Sequence, residues 1–192
     1  MIYNPQKHHR RSIRLKGYDY SQSGFYFITI CVQNREHLFG HIENGEMVLN
    51  DAGRMVENEW LNILQRFKNV ALHEYIVMPN HFHCIVEMVE TKPVGATLVV
   101  DPNKNGHPQG DAPTGSAPTE NIPTVGDIVG AFKSITTVNY ISSVKDNDWK
   151  PFHNKLWQRN YYEHIIRNEQ AYQNISQYII SNPKNWDNDT LK

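Results

Sequence analysis

The sequence predicts an α+β fold built on an antiparallel sheet, and three observations lead there. Hydrophobic residues make up 39% of the 192-residue, 22.3 kDa chain, aromatics 11% and charged residues 20%, a mix that excludes a wholly disordered polypeptide. Runs dense in β-branched and aromatic residues alternate with stretches whose apolar residues recur at helical spacing. The resulting order is strand, hairpin, helix, strand, strand, helix, strand, helix.

Gly24-Phe25-Tyr26-Phe27-Ile28-Thr29-Ile30-Cys31-Val32 reads as the first strand. A hairpin follows, its arms 39–42 and 46–49 flanking Asn44-Gly45, a pair that tolerates the positive φ of a tight turn. Asp51 is the expected cap of a helix in which Val56, Trp60, Ile63, Leu64 and Phe67 form one apolar stripe. Strands over 70–78 and 82–89 are separated by the turn signal Pro79-Asn80. Thr124 and Asp127 resemble a capping box, opening a helix with Val125, Ile128, Val129, Phe132 and Ile135 on one face. Residues 156–166 read as the last strand. Asn168 and Glu169 then open a final helix that runs to about Ser181, where Pro183 stops it. Without the small hairpin and the final helix, the order is βαββαβ, the ferredoxin-like split unit with helices on one face of an antiparallel sheet.

Residues 1–192 are expected to form a single domain. The composition breaks once, between 91 and 124, where six of the ten prolines and four of the eleven glycines fall and no aromatic residue occurs. That stretch is expected to be a disordered loop insertion. The 158 residues outside it suffice for an ample core. The net charge of −1 hides an asymmetry: residues 1–16 hold Lys7, Arg10, Arg11, Arg14 and Lys16 and no acid, leaving −6 on the remainder. Such a basic arm can contact phosphates without sequence preference. No apolar run approaches the ~18 residues of a membrane helix, and the first residues lack the apolar core of a signal peptide, so a cytosolic protein is expected. Cys31 and Cys84 sit singly in apolar runs and read as buried free thiols.

Two groups of residues can carry chemistry. In His81-Phe82-His83 the imidazoles point to one face of a strand about 6.6 Å apart, close enough to share a cation, while Phe82 points into the core. Chance gives about half such a tripeptide in a chain with ten histidines, so by itself it also fits two solvent-facing side chains. Tyr178 and Asn182, four apart, share a helix face. An amide oxygen ligates hard cations, and a phenol is a nucleophile once its charge is stabilised. With an ordinary pKa near 10, only about 0.1% of a phenol is ionised at pH 7, so it needs a base or a Lewis-acidic cation at its target. Taken singly, Tyr178 also fits a core tyrosine and Asn182 a helix C-cap before Pro183.

Together these segments resemble the single-tyrosine HUH transposases, and specifically the REP-associated tyrosine transposases of bacterial genomes. Met78-Pro79-Asn80-His81-Phe82-His83-Cys84-Ile85-Val86 is similar to that family's HUH strand. Asp19-Tyr20, Gly126-Asp127-Ile128-Val129-Gly130-Ala131-Phe132-Lys133-Ser134, Leu156-Trp157-Gln158-Arg159-Asn160-Tyr161-Tyr162-Glu163-His164 and Tyr178 with Asn182-Pro183 match further stretches in the same order. The resemblance implies metal-dependent cleavage and strand transfer on single-stranded DNA carrying a hairpin, through a 5′-phosphotyrosine intermediate. It implies Tyr178 as nucleophile, His81, His83 and Asn182 as ligands of Mg²⁺ or Mn²⁺, a monomer or homodimer, and a place in the bacterial cytoplasm at the nucleoid. Arg10, Arg11, Arg14, Lys16, Lys133 and Arg159 are the candidate DNA-phosphate contacts. Tyr161 and Tyr162 are rival nucleophiles; as neighbours on a strand they face opposite ways, so only one can reach the histidines. The alternatives are a nucleic-acid-binding module of the same fold without turnover and a metal-dependent hydrolase acting on something other than DNA.

Overall fold

The computed structural model describes Leu15 and residues 17–90 and 122–192. The basic residues Arg10, Arg11, Arg14 and Lys16 therefore lie outside the described residues, as does all but the end of the 91–124 stretch.

Among the described residues six strands and four α-helices follow one another: β1 (Gly24–Cys31), β2 (Gly40–Glu43), β3 (Glu46–Leu49), α1 (Asp51–Leu61), α2 (Ile63–Arg66), β4 (Val70–Met78), β5 (His81–Met88), α3 (Val125–Asp146), β6 (Tyr162–Ile166) and α4 (Glu169–Ser181). The sheet has the order β4-β5-β1-β6, with every neighbour antiparallel. Counting only the βαββαβ strands this is the split-unit arrangement, and β2 and β3 form a separate two-stranded sheet. Their turn places Asn44 at φ 52° and Gly45 at φ 78°, two consecutive positive values as a tight hairpin turn of this kind requires.

Alternation along the strands divides the sheet into two faces. Tyr26, Ile28 and Ile30 of β1 and Phe82, Cys84, Val86 and Met88 of β5 join Val56, Trp60, Ile128, Val129 and Phe132 of α1 and α3 in the larger core. At its centre the Trp60 ring meets Phe82 at 5.1 Å and Phe132 at 5.3 Å. The opposite face, with Phe27, Ile85 and Ile166, is covered by α4 through Ile179. A bulge in β4 between Leu72 and Tyr75 brings His73 and Glu74 to α4. There the Tyr172 hydroxyl donates to Glu74 at 2.9 Å, Ser176 donates to Glu74 at 3.2 Å, and His73 Nδ1 lies 3.0 Å from the Tyr172 oxygen. Polar contacts at one end of α4 thus seat it on the sheet.

Several strand ends shift by one residue, as at β5, which begins at His81 and ends at Met88, and three further differences from the sequence reading have a clear cause. Asn50, and not Asp51, caps α1: its Oδ1 accepts from Gly53 N at 2.9 Å, while Asp51 begins the helix and pairs with Arg54. The apolar stripe breaks at Asn62, so Leu64 is left exposed and Phe67 ends α2. The last strand is shorter than 156–166, with only Tyr162–Ile166 pairing to β1 as strand. Upstream, Trp157 pairs singly with Val32. Ile30 and Cys31 face four residues, 158–161, so the chain carries a two-residue excess that bows away from the sheet. Lys133 pins that bow by donating to the carbonyls of Gln158 at 2.6 Å and Arg159 at 3.1 Å. The Thr124–Asp127 capping box forms as expected, and Pro183 converts the end of α4 into a 3₁₀ turn over Pro183–Asn188.

Asn50→Ala should lower stability by about 1 kcal/mol, the usual loss on removing such a cap, whereas Asp51→Ala should cost much less. Urea unfolding of the two variants checks which side chain is the cap.

Candidate metal and nucleophile site

The site lies under α4 on the face that β1 and β5 share. His81 and His83 are 0% and 1% exposed, and Phe82 between them is in the core on the other face. The imidazole rings stand 4.5 Å apart, centroid to centroid. His81 Nδ1 lies 2.8 Å from Asn80 Oδ1. An amide oxygen only accepts, so Nδ1 carries the proton and Nε2 the free lone pair. Burial pushes the His81 pKa down to about 4, against which the Asp189 carboxylate acts in the opposite sense. Burial, with His81 beside it, holds His83 well below the usual histidine range. Both rings are therefore neutral at pH 7, the form that ligates cations.

Tyr178 projects from α4 over this pair, its hydroxyl 3.3 Å from His83 Nε2. The other nitrogen of His83 lies 2.8 Å from Thr29 Oγ1. The phenol's pKa is raised, chiefly by burial and further by Asp189, while the Asn182 amide works the other way. Asn182, one turn on, occupies the C-cap position of α4 and is 2% exposed. Nucleophile candidate, histidines and amide thus come together within one chain.

Sequence reasoning missed Asp189. It follows the 3₁₀ turn, and its side chain is 6% exposed with Oδ2 3.7 Å from His81 Nε2. Leu191 N donates to Asp189 Oδ1 at 2.7 Å. The Leu191 carbonyl in turn accepts from Asn80 Nδ2 at 2.8 Å and Arg35 at 3.4 Å. Asn80 therefore orients His81 with one end of its amide and fastens the chain beside Asp189 with the other. Trp186, stacked on the His81 ring at 6.0 Å, closes the remaining side.

These residues fit a metal ion. One ligand atom each from His81, His83 and Asp189 lie within 4.8 Å of one another. Among the described residues, His81 Nε2, Asn182 Oδ1 and Asp189 Oδ2 are buried acceptors without a hydrogen-bond partner. Buried acceptors left unpaired cost about 1–3 kcal/mol each, and a cation answers all three at once. The mixture of imidazole nitrogen with carboxylate and amide oxygen is a donor set that divalent metals accept.

Of the candidate DNA contacts among the described residues, Lys133 is spent on the two backbone carbonyls, and burial pulls its pKa down to about 8. Arg159 is exposed on the bow. Of the rival tyrosines, Tyr162 faces the Phe27 side of the sheet, whereas Tyr161 packs against the larger core.

Neutral, buried His81 also predicts acid sensitivity. Its folded pKa lies below the ordinary value of 6.5, so the unfolded chain binds the proton first on acidification. The stability contribution is complete above pH 6.5 and is lost as the pH falls toward about 4. His81 alone should account for about 2–3 kcal/mol between pH 7 and 4.5. Urea titrations should show a shallower acid slope for His81→Asn than for the parent; equal slopes would contradict the buried, neutral assignment.

The chain has the fold of a REP-associated tyrosine transposase solved bound to a REP hairpin, with a TM-score of 0.51, 18% identity, and 90% of this chain and 73% of that one covered. No family model matches the chain. It belongs to one family with a Haemophilus influenzae protein described as uncharacterized, 43% identical over 192 residues that span 98% of this chain and 96% of that one. Among the described residues no helix is long and apolar enough to cross a membrane.

Proposed function

We propose that this protein cleaves and rejoins single-stranded DNA beside a hairpin, with Tyr178 as the nucleophile and Mg²⁺ or Mn²⁺ held by His81, His83, Asp189 and Asn182. The observation that carries the reading is the Tyr178 hydroxyl 3.3 Å from His83 Nε2 in the same chain, beside three unpartnered buried acceptors. The fold likeness to a transposase bound to a REP hairpin supports DNA as the substrate class, and the basic residues of the N-terminal arm supply sequence-independent phosphate contacts. The same reading places the protein in the bacterial cytoplasm at the nucleoid.

The raised pKa of Tyr178 means that the phenol meets its target protonated. With Nδ1 donating to Thr29 Oγ1, the single ring lone pair of His83 lies on Nε2, where it accepts from the Tyr178 hydroxyl, an assignment drawn from the hydrogen-bond partners. His83 would ligate a cation through that same lone pair, in place of the hydroxyl, so its part is to keep the cation site beside the phenol. Attack forms the Oη–P bond as the P–O3′ bond breaks, and the phenolic proton ends on the departing 3′ oxygen. The products are a 5′-phosphotyrosine and a free 3′-hydroxyl. One phosphodiester replaces another, so the reverse attack by a 3′-hydroxyl rejoins a strand without an external energy source. A bound divalent cation supplies Lewis-acid stabilisation of the charge developing on the phosphate.

Incubation with end-labelled single-stranded hairpin oligonucleotides and Mn²⁺ or Mg²⁺ should give a protein–DNA adduct that survives denaturing electrophoresis and carries only the 3′ fragment. EDTA should prevent it, and a fully paired duplex of the same sequence should not form it. Retention of hairpin DNA without any adduct in either metal would instead support a binding module without turnover.

A further inference from the structure

Beside the Tyr178 hydroxyl the sheet face opens into a cleft of about 450 Å³, lined among others by Phe27, Arg35, Gln158, Asn160 and Tyr162. That volume falls within the ~300–1,000 Å³ of small-ligand sites. Its aromatic content is unusual in being exposed. Tyr162, on the edge strand β6, is 52% exposed, and Tyr178 is 43% exposed. Both rings stand edge-on to the same buried Phe27, at 6.2 Å and 6.1 Å. A buried phenylalanine thus carries a solvent-facing phenol on either side. The bow of residues 158–161 brings Gln158 and Asn160 to the cleft, where Gln158 Nε2 donates to the Val32 carbonyl at 3.3 Å. Among the described residues that line the cleft, Arg35 is the only Lys or Arg and none is Asp or Glu.

We infer that this cleft is a stacking subsite for one unpaired nucleobase, that of a nucleotide joined at the scissile phosphate, with Tyr162 as the platform. The inference rests on the proposed DNA cleavage for its substrate class. Aromatic faces accept any base, a lining amide side chain such as that of Asn160 suits hydrogen-bonding edges that only an unpaired base exposes, and an acid-free lining with one guanidinium suits the attached phosphate. A paired base is stacked in its own helix, so the subsite also explains a demand for single strands.

Binding can be measured without cleavage, using the full chain with Tyr178→Phe in EDTA and two fluorescein-labelled probes: dT20 and a 20-mer sugar-phosphate backbone lacking bases. The two probes match in charge, so their affinity ratio reports base contacts alone. The Tyr178→Phe protein should prefer dT20 by at least ~5-fold, the lower end of one stacked base. Adding Tyr162→Ala should erase most of that preference, and adding Tyr162→Phe should keep it. Absence of a preference, or a preference that survives Tyr162→Ala, overturns the subsite. Tyr162 is exposed on an edge strand, and circular dichroism of the variant verifies its fold. The cleavage reading fails separately: a Tyr162-dependent preference in a protein whose parent forms no adduct would leave the subsite standing without the chemistry.

Discussion

Tyr178→Phe should abolish the covalent protein–DNA adduct and lower strand cleavage by at least ~10³-fold, the scale seen when a covalent nucleophile is removed, while leaving the fold intact. The substitution deletes one oxygen whose hydrogen-bond partner is His83 Nε2. The ring keeps its edge contacts with His83 at 5.2 Å and Phe27 at 6.1 Å, and it is already 43% exposed, so little stability depends on the hydroxyl. A thermal unfolding midpoint within a degree or two of the parent, together with no adduct, is the expected pair of results. An adduct that persists in Tyr178→Phe would place the nucleophile elsewhere, and Tyr162, on the same face of the sheet, would be the next residue to replace.

Trp60→Ala should cost about 3–5 kcal/mol, the range for deleting a large aromatic from a packed core. Trp60 is 0% exposed and is wedged between Phe82 and Phe132, so it links α1 to both β5 and α3. Trp60→Phe is the informative contrast. Among the described residues, Trp60 Nε1 is buried without a hydrogen-bond partner, a defect worth about 1–3 kcal/mol. Phenylalanine removes that defect while losing part of the ring volume, so the two effects oppose and the net loss should be well under half that of alanine. Urea midpoints measure both. Because Phe82 lies between the two histidines of the proposed metal site, Trp60→Ala should also loosen that site, seen as a weaker response of the unfolding midpoint to added Mn²⁺.

Features written in neighbouring residues were legible before the structure. Asn44-Gly45, the Thr124–Asp127 box, the alternation that puts His81 and His83 on one face, and the i,i+4 spacing of Tyr178 and Asn182 are all of that kind. Asn50 and Asp51 show the limit of local reading: both are good cap formers, and the choice depends on where the hairpin delivers the chain. Residues 156–166 are rich enough in strand formers to suggest one continuous strand. The stretch is divided by the Trp157 indole, which donates to Thr136, and by the Lys133 contacts, both made across the fold. Asp189 is the clearest case. It sits in a polar run of Asn, Asp, Trp and Lys without periodicity, and only the return of the chain under Asn80 gives it a role. The cleft aromatics were legible as residues but not as a site, since a strand-end tyrosine fits a core as readily as a surface.

Tyr178 reaches His83 within its own chain, because α4 folds back on the sheet that carries the histidines. Dilution therefore cannot separate Tyr178 from the histidines, as it would if the helix were borrowed from another copy. For the proposed chemistry this sets the kinetic order: adduct should accumulate at an initial rate proportional to protein concentration, with no threshold on dilution. It also sets a stoichiometry, with each polypeptide able to hold one broken strand end at a time.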